Sequence, residues 1–226
     1  MLALATGLSL MLYLLAWIWP PAAWLARPLV WLATLFHELG HGIAALALGG
    51  QLVELAVYAD GSGVALHRGA YSELQRAVIA AAGPLGPPLA ALALFASLRH
   101  PALARALLGL LGALLLIALL LWVRNVFGFI FIGFVAASLL VLAMRASPRG
   151  LLLTCGFLGL QMCLSTFSQM DYLFSAGANT GAGQLPSDTA QIAAALGLNY
   201  LVWGGLLAAV ALAVTATGLA LAWRLR

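Results

Sequence analysis

Long apolar segments run through almost the whole chain and constrain its fold more than any other feature. Each is about 20 residues long, the length that an α-helix needs to cross the hydrocarbon core of a bilayer. Hydrophobic residues make up 65% of the 226 residues and charged residues only 7%. The sequence therefore predicts an all-α polytopic membrane protein, with one integral membrane domain over residues 1–226. The predicted spans lie at about 2–19, 24–48, 71–97, 102–123, 125–144, 150–174 and 198–223.

The number of spans depends on Arg124 and Asn125, which interrupt an apolar run from Leu103 to Met144. That run is too long for one span, so we favour a tight turn at these two residues and a total of six or seven transmembrane helices. The ten basic residues are all arginine and are spread over short loops. This distribution is typical of a protein oriented in a membrane and gives no sign of nucleic-acid binding.

The second predicted span, at about 24–48, contains the sequence HELGH. His37 and His41 are four residues apart and lie on one face of a helix, so both can bind one metal ion while Glu38 reaches an attached water. This is the arrangement of zinc hydrolases. The alternative is a pair of histidines that hydrogen-bond to neighbouring helices with Glu38 as their partner, but a buried carboxylate without a function is costly in a membrane.

A catalytic zinc normally takes three protein ligands, so a third ligand is expected elsewhere in the chain. Two carboxylates lie in the region of about 165–190. Asp171 is near the end of an apolar span, where a carboxylate is costly unless paired or metal-bound, whereas Asp188 is in a polar loop and is explained by helix capping. We therefore favour Asp171 and keep Asp188 as the alternative ligand. His67 and His100 are interpreted as exposed loop residues.

Residues 51–68 follow the metal-binding helix and depart from helix chemistry. Several valines and Tyr58 favour strands, and the segment Asp60-Gly61-Ser62-Gly63 favours a turn, so a β-hairpin is predicted here. An unpaired strand edge beside a metal site can bind an extended peptide by strand addition. A plain connecting hairpin on the membrane surface is the alternative interpretation.

The third predicted span contains an unusual cluster of helix-breaking residues, which are Gly83, Pro84, Gly86, Pro87 and Pro88. We expect them to interrupt the helix, which a membrane tolerates only where neighbouring protein or a water-filled cavity satisfies the backbone. Close packing against another helix and a cavity wall both remain open as explanations.

The segment after the sixth span is rich in Gly, Asn, Ser and Pro up to about residue 186, which indicates a flexible loop. Ser187 or Asp188 then has the character of an N-cap, so a short helix is predicted before the last span. This segment would be the polar connection between the last two predicted spans.

Together these motifs resemble the site-2 protease family of intramembrane zinc metallopeptidases, in particular its compact bacterial and plant branch without a PDZ domain. The resemblance rests on HELGH at 37–41, the hairpin turn at 61–64, the Ala82-Gly83-Pro84 segment, the segment 168–171 and the pair Ser187-Asp188. It implies one Zn²⁺ per chain with His37 and His41 as ligands and Glu38 as the base. It also implies a possible substrate-backbone or oxyanion contact for Asn125.

The resemblance further implies a multi-pass protein, expected in a bacterial inner membrane, that hydrolyses peptide bonds in or near transmembrane segments. Its expected partners are the lipid bilayer and a membrane-protein substrate with a transmembrane helix, while the oligomeric state is undetermined. The alternative function is a catalytically inactive, metalloprotease-like scaffold or regulator that binds membrane-protein partners.

Overall fold

A computed structural model describes residues 2–19, 21, 23–168 and 170–224. Gln169, in the middle of the segment 168–171, lies outside the described residues. Helices dominate the fold, and two antiparallel hairpins are inserted between them. In chain order the elements are α1 (Leu2–Ile18), α2 (Ala23–Ala47), β1 (Gln51–Val57), β2 (Gly63–Arg68), α3 (Glu73–Ser97), α4 (Pro101–Leu121), α5 (Val126–Arg145), α6 (Pro148–Ser168), α7 (Met170–Leu173), β3 (Gly177–Thr180), β4 (Gly183–Pro186), α8 (Asp188–Leu196) and α9 (Tyr200–Arg224).

Six of these helices, α2 to α6 and α9, are long and apolar enough to cross a membrane. This confirms the predicted all-α polytopic fold, with six such helices among the described residues. Helix α1 has 17 residues and packs against α6, where the buried Gln161 amide donates to the Ser9 hydroxyl at 2.7 Å. The predicted turn at Arg124 and Asn125 is also confirmed, since it separates α4 from α5.

Helix α3 is continuous through its glycines and prolines, so the predicted interruption is wrong. The glycines instead allow α2 and α3 to approach closely, because a Cβ atom would clash with the facing backbone. At Gly40 it would lie 2.1 Å from the Ala82 carbonyl oxygen, and at Gly86 it would lie 2.2 Å from the Phe36 carbonyl oxygen. Of the two explanations for this cluster, the structure therefore supports helix packing.

The predicted hairpin over 51–68 is confirmed as the pair β1–β2, which we call the first hairpin. It lies along α2, and its turn is fastened there by the Thr34 hydroxyl, which donates to the Gly61 carbonyl at 2.6 Å. Asp60 closes the turn by accepting from the backbone N–H and the hydroxyl of Ser62, at 2.9 Å and 2.7 Å. The hairpin is therefore placed against the helix that carries the HELGH motif.

The prediction of a flexible loop before residue 187 is wrong, because β3 and β4 form a second hairpin there. Its strand residues are mostly exposed and have no apolar alternation, so the usual strand signal is missing from the sequence. The Thr180 hydroxyl donates to the Gly183 carbonyl at 2.8 Å and stabilises the turn. Gly183 has a φ of 111°, a conformation that glycine adopts without strain.

Candidate metal centre

The first half of the site comes from the middle of α2, as the sequence predicts. His37 and Glu38 are adjacent, and His41 lies one turn later. The centroids of the two imidazole rings are 4.9 Å apart. The side chains are enclosed by the surrounding helices and the first hairpin, with His37 and Glu38 buried. Two imidazoles and one carboxylate therefore face a single point inside the helix bundle.

The second half of the site is Asp188, the first residue of α8. Its Oδ2 atom lies 3.0 Å from His37 Nε2, and its Oδ1 atom lies 3.3 Å from His41 Nε2. The predicted helix start is confirmed, but Ser187 is the N-cap, since its hydroxyl accepts from the Ala190 N–H at 3.2 Å. The carboxylate of Asp188 is thus free of any capping role and points at the histidines.

The structure does not bring Asp171, our preferred third ligand, to the histidines, and the alternative ligand Asp188 lies there instead. We expected Asp171 to lie in an apolar span, where a carboxylate is costly, but its side chain is exposed and that cost does not arise. Asp171 is the second residue of α7. The neighbouring Tyr172 takes part in the site without being a candidate ligand. Its hydroxyl accepts a hydrogen bond from the Asp188 backbone N–H at 3.2 Å.

The donor atoms of the cluster fit a metal ion. One ligand atom from each of His37, His41 and Asp188 lies within 4.8 Å of the other two. Ligands bound tetrahedrally at about 2.0–2.1 Å from zinc are about 3.3 Å apart, close to the two nitrogen-to-oxygen distances found here. His41 Nδ1 lies 2.8 Å from the Ile79 carbonyl, which fixes the proton on that nitrogen and leaves the Nε2 lone pair to face the cluster.

Two further observations support a cation at this point. Asp188 Oδ2 is fully buried and makes no hydrogen bond of good geometry with a described residue. Gly83 leaves the space for the histidines, since a Cβ there would lie 2.1 Å from His41 Nε2 and 2.8 Å from His37 Nε2.

The first hairpin positions Glu38 next to the cluster. The backbone N–H of Ala65 in β2 faces the Glu38 carboxylate. A Cβ at Gly63 would lie 2.7 Å from Glu38 Cγ and 2.9 Å from Glu38 Oε1. Any residue larger than glycine at this position would therefore clash with the Glu38 side chain. Glu38 is therefore held between α2 and the outer edge of β2, beside the three candidate ligands.

Two cavities reach the cluster from opposite ends of the site. The first cavity, of about 640 Å³, follows the N-terminal half of α2 and includes Leu29, Val30 and Ala33. The second cavity, of about 760 Å³, opens towards the C-terminal end of α2 and the start of α3. Both are lined by His37, Glu38, Gly63, Tyr172, Ala178 and Thr180. Water and an extended chain can therefore reach Glu38 from either end.

The remaining candidate residues lie outside the cluster. Asn125 lines neither cavity, and its amide donates to the Val57 carbonyl at 2.6 Å, so it fastens the first hairpin to the turn between α4 and α5. His100 is exposed and caps α4, in agreement with its interpretation as a loop residue. His67 is not a loop residue, because it belongs to β2, is half-buried and lines the second cavity.

The roles of some residues that shape the site could not be read from the sequence, although Gly63 and Gly83 lie in segments that it marks as a turn and a helix break. Gly63 and Gly83 are essential by their lack of a side chain, and Tyr172 acts on the backbone of a residue 16 positions away. The contact between α8 and α2 joins residues about 150 positions apart, and no local pattern specifies it. The only sequence feature that leads to Tyr172 is its position next to Asp171, a candidate ligand.

Comparison with known proteins agrees with this geometry. The family model described as Peptidase M50B-like matches residues 8–218, which is most of the chain. The chain belongs to this family. The predicted resemblance to site-2 proteases is thereby confirmed. Neither the curated proteins nor the solved structures gave a significant match. With its six apolar helices, this M50B-like chain is a multi-pass integral membrane protein.

Proposed function

We propose that the protein is an intramembrane zinc metalloprotease that hydrolyses peptide bonds in or near transmembrane segments of membrane proteins. The observation that carries this proposal is the convergence of His37, His41 and Asp188 beside Glu38 in a chain of the M50B-like family. Site-2 proteases are zinc-dependent in general, and two imidazoles with one carboxylate form a donor set that suits zinc while leaving a coordination position open.

The chemistry assigns a separate task to each group. Zinc bound to the three ligands would acidify water and polarise a peptide carbonyl. Glu38 accepts a proton from water as the water oxygen adds to the carbonyl carbon, and a proton passes from Glu38 to the amide nitrogen as the C–N bond breaks. The Ala65 N–H and the space at Gly63 keep the Glu38 carboxylate in position for both transfers.

The shape of the site supports a substrate bound as an extended strand. No described strand pairs with the outer edge of β2, and this edge borders the second cavity opposite the second hairpin. An unwound peptide placed along it can form backbone hydrogen bonds with β2 while its scissile bond lies next to Glu38. The first cavity, which follows α2 beside Leu29, Val30 and Ala33, offers space for a further part of the substrate.

The proposal is tested with the Glu38→Gln variant and a reporter that contains one transmembrane helix, both reconstituted in liposomes. We expect cleavage to fall by at least about a hundredfold, because the variant has no base at this position. Zinc content should remain that of the unaltered protein, since Glu38 is not among the three candidate ligands. Glu54→Gln is the matched control, because Glu54 lines neither cavity. Undiminished cleavage by Glu38→Gln would contradict the assignment, and no cleavage by the unaltered protein would favour the scaffold alternative.

A further inference from the structure

The second cavity differs from the first in the charge at its mouth. Arg68 at the end of β2 and Arg76 in the first turns of α3 both line it and are both exposed. The first cavity is lined by no arginine among the described residues, and Asp60 is the charged residue at its outer part. Arg27 lies near the first cavity but donates to the Ala59 carbonyl at 3.4 Å and does not line the cavity, so only the second cavity is lined by guanidinium groups.

The two guanidinium groups are not neutralised by nearby carboxylates. Arg68 Nε donates to the Gln51 side-chain carbonyl at 2.9 Å, which is an uncharged partner. Arg76 lies 3.9 Å from Glu73, and both side chains are more than half exposed, so this pair is weak. The carboxylates that line the cavity are Glu38 and Asp188, both of which belong to the metal cluster. The mouth of the second cavity thus has an uncompensated positive charge.

The mouth also lies at one end of the helix bundle. Arg68 and Arg76 are close to the C-terminal end of α2 and the N-terminal end of α3, which face the same side of the bundle. Arginine side chains are costly in hydrocarbon and belong at the polar boundary. The first cavity follows α2 from Glu38 back to Leu29, about 13 Å deeper along the helix axis.

We propose that Arg68 and Arg76 form a specificity subsite that binds a carboxylate of the substrate just outside its transmembrane segment. The inference rests on the proposed proteolytic function and adds the class of substrate, which is a peptide with an acidic group on its polar side. An Asp or Glu side chain and a free C-terminal carboxylate share this chemistry. Charge-assisted hydrogen bonds to guanidinium would fix the register of the peptide at the scissile bond.

The test uses pairs of reporters that differ at one position just outside the transmembrane segment. One reporter of each pair carries Glu at that position and the other carries Gln, and the positions are tested one at a time. We expect the best Glu reporter to exceed its Gln partner in kcat/KM by about tenfold, which is typical of one hydrogen-bonded charge. The Arg68→Gln/Arg76→Gln double variant should bring this ratio close to one. Arg149→Gln, an exposed arginine outside both cavities, is the control and should keep the full ratio.

A second arm identifies the source of the carboxylate. Peptides that end in a free carboxylate are compared with the same peptides ending in an amide, so a preference confined to this pair assigns the subsite to the chain terminus. Equal losses for the acidic and neutral members of every pair in the double variant, or no preference for either kind of carboxylate in the unaltered protein, would overturn the proposal. Such a result would leave the arginines as membrane-orienting residues.

A binding measurement separates this inference from the proposed function. Fluorescently labelled Glu and Gln peptides are titrated in detergent micelles with the Glu38→Gln variant, in which hydrolysis is not needed. A tenfold affinity ratio that disappears when Arg68→Gln and Arg76→Gln are added to this variant supports the subsite, even if no substrate is cleaved. Equal affinities for both peptides would overturn it, even if the unaltered protein proves to be an active protease.

Discussion

The two β-hairpins border the same pair of cavities, yet they are attached to the rest of the molecule in different ways. The first is fixed along its length, by Thr34 to Gly61, by the Trp31 indole to the Ala59 carbonyl at 3.2 Å, and by the Leu55 N–H to the Trp122 carbonyl at 3.0 Å. The second is held at its base by Ser187, whose hydroxyl donates to the Ser175 carbonyl, and at its tip by the Gly181 N–H, which donates to the Ser62 hydroxyl at 2.9 Å.

The difference indicates a division of tasks around the metal cluster. The first hairpin is a fixed wall, since its backbone positions Glu38 and several of its residues are buried. The second is a cover whose strand residues are mostly exposed and whose tip rests on the turn of the first hairpin. Changes that alter the wall should therefore affect catalysis and stability more than equivalent changes in the cover.

The largest contrast is expected between two glycine substitutions. Gly63→Ala places a Cβ 2.7 Å from Glu38 Cγ, and the base is displaced from the cluster. We expect kcat to fall by about tenfold or more while zinc is retained, because small misplacements of catalytic groups are costly. The reporter assay and metal analysis on the same sample measure both quantities.

Gly181→Ala is the matched change in the second hairpin. Its Cβ would lie 2.4 Å from the Tyr58 ring, a half-buried side chain that can turn aside together with the tip of the cover. We expect a change in kcat of less than about threefold, since no contact with Glu38 is altered. A larger loss for Gly181→Ala than for Gly63→Ala would reverse the assignment of wall and cover.

A smaller contrast is expected between two threonine substitutions that remove one hydroxyl each. Thr34→Val leaves the Gly61 carbonyl without its partner at a buried position, so the free energy of unfolding should fall by about 1 kcal/mol. Thr180→Val removes the bond to Gly183 in the exposed turn, where water replaces the partner, and should change stability by less than about 0.5 kcal/mol. Denaturant unfolding in detergent measures both, and equal effects would contradict the comparison.

The two hairpins also show what the sequence can and cannot predict. The first has β-branched residues on both sides of an Asp-Gly turn, and these local signals predict it within the correct bounds. The second consists of the strands GANT and GQLP, whose composition is that of a loop. It forms because its ends are fixed between α7 and α8 and its tip meets the first hairpin, which are tertiary causes.

The candidate site divides in the same way. HELGH lies within one helix, so its spacing alone predicts which three side chains share a face. The choice of Asp171 over Asp188 depended on whether Asp171 is buried and on which residue caps α8, and the local sequence decides neither. Ser187 takes the capping role and Asp188 points inward, whereas Asp171 is exposed.

The most direct test of the account is the zinc content of purified protein with Asp188→Asn or Asp171→Asn, measured per chain beside the unaltered protein. The geometry of the cluster predicts one zinc ion per chain for the unaltered protein and for Asp171→Asn, and a large loss of zinc for Asp188→Asn. Full zinc in Asp188→Asn together with a loss in Asp171→Asn would contradict the assignment of the three ligands.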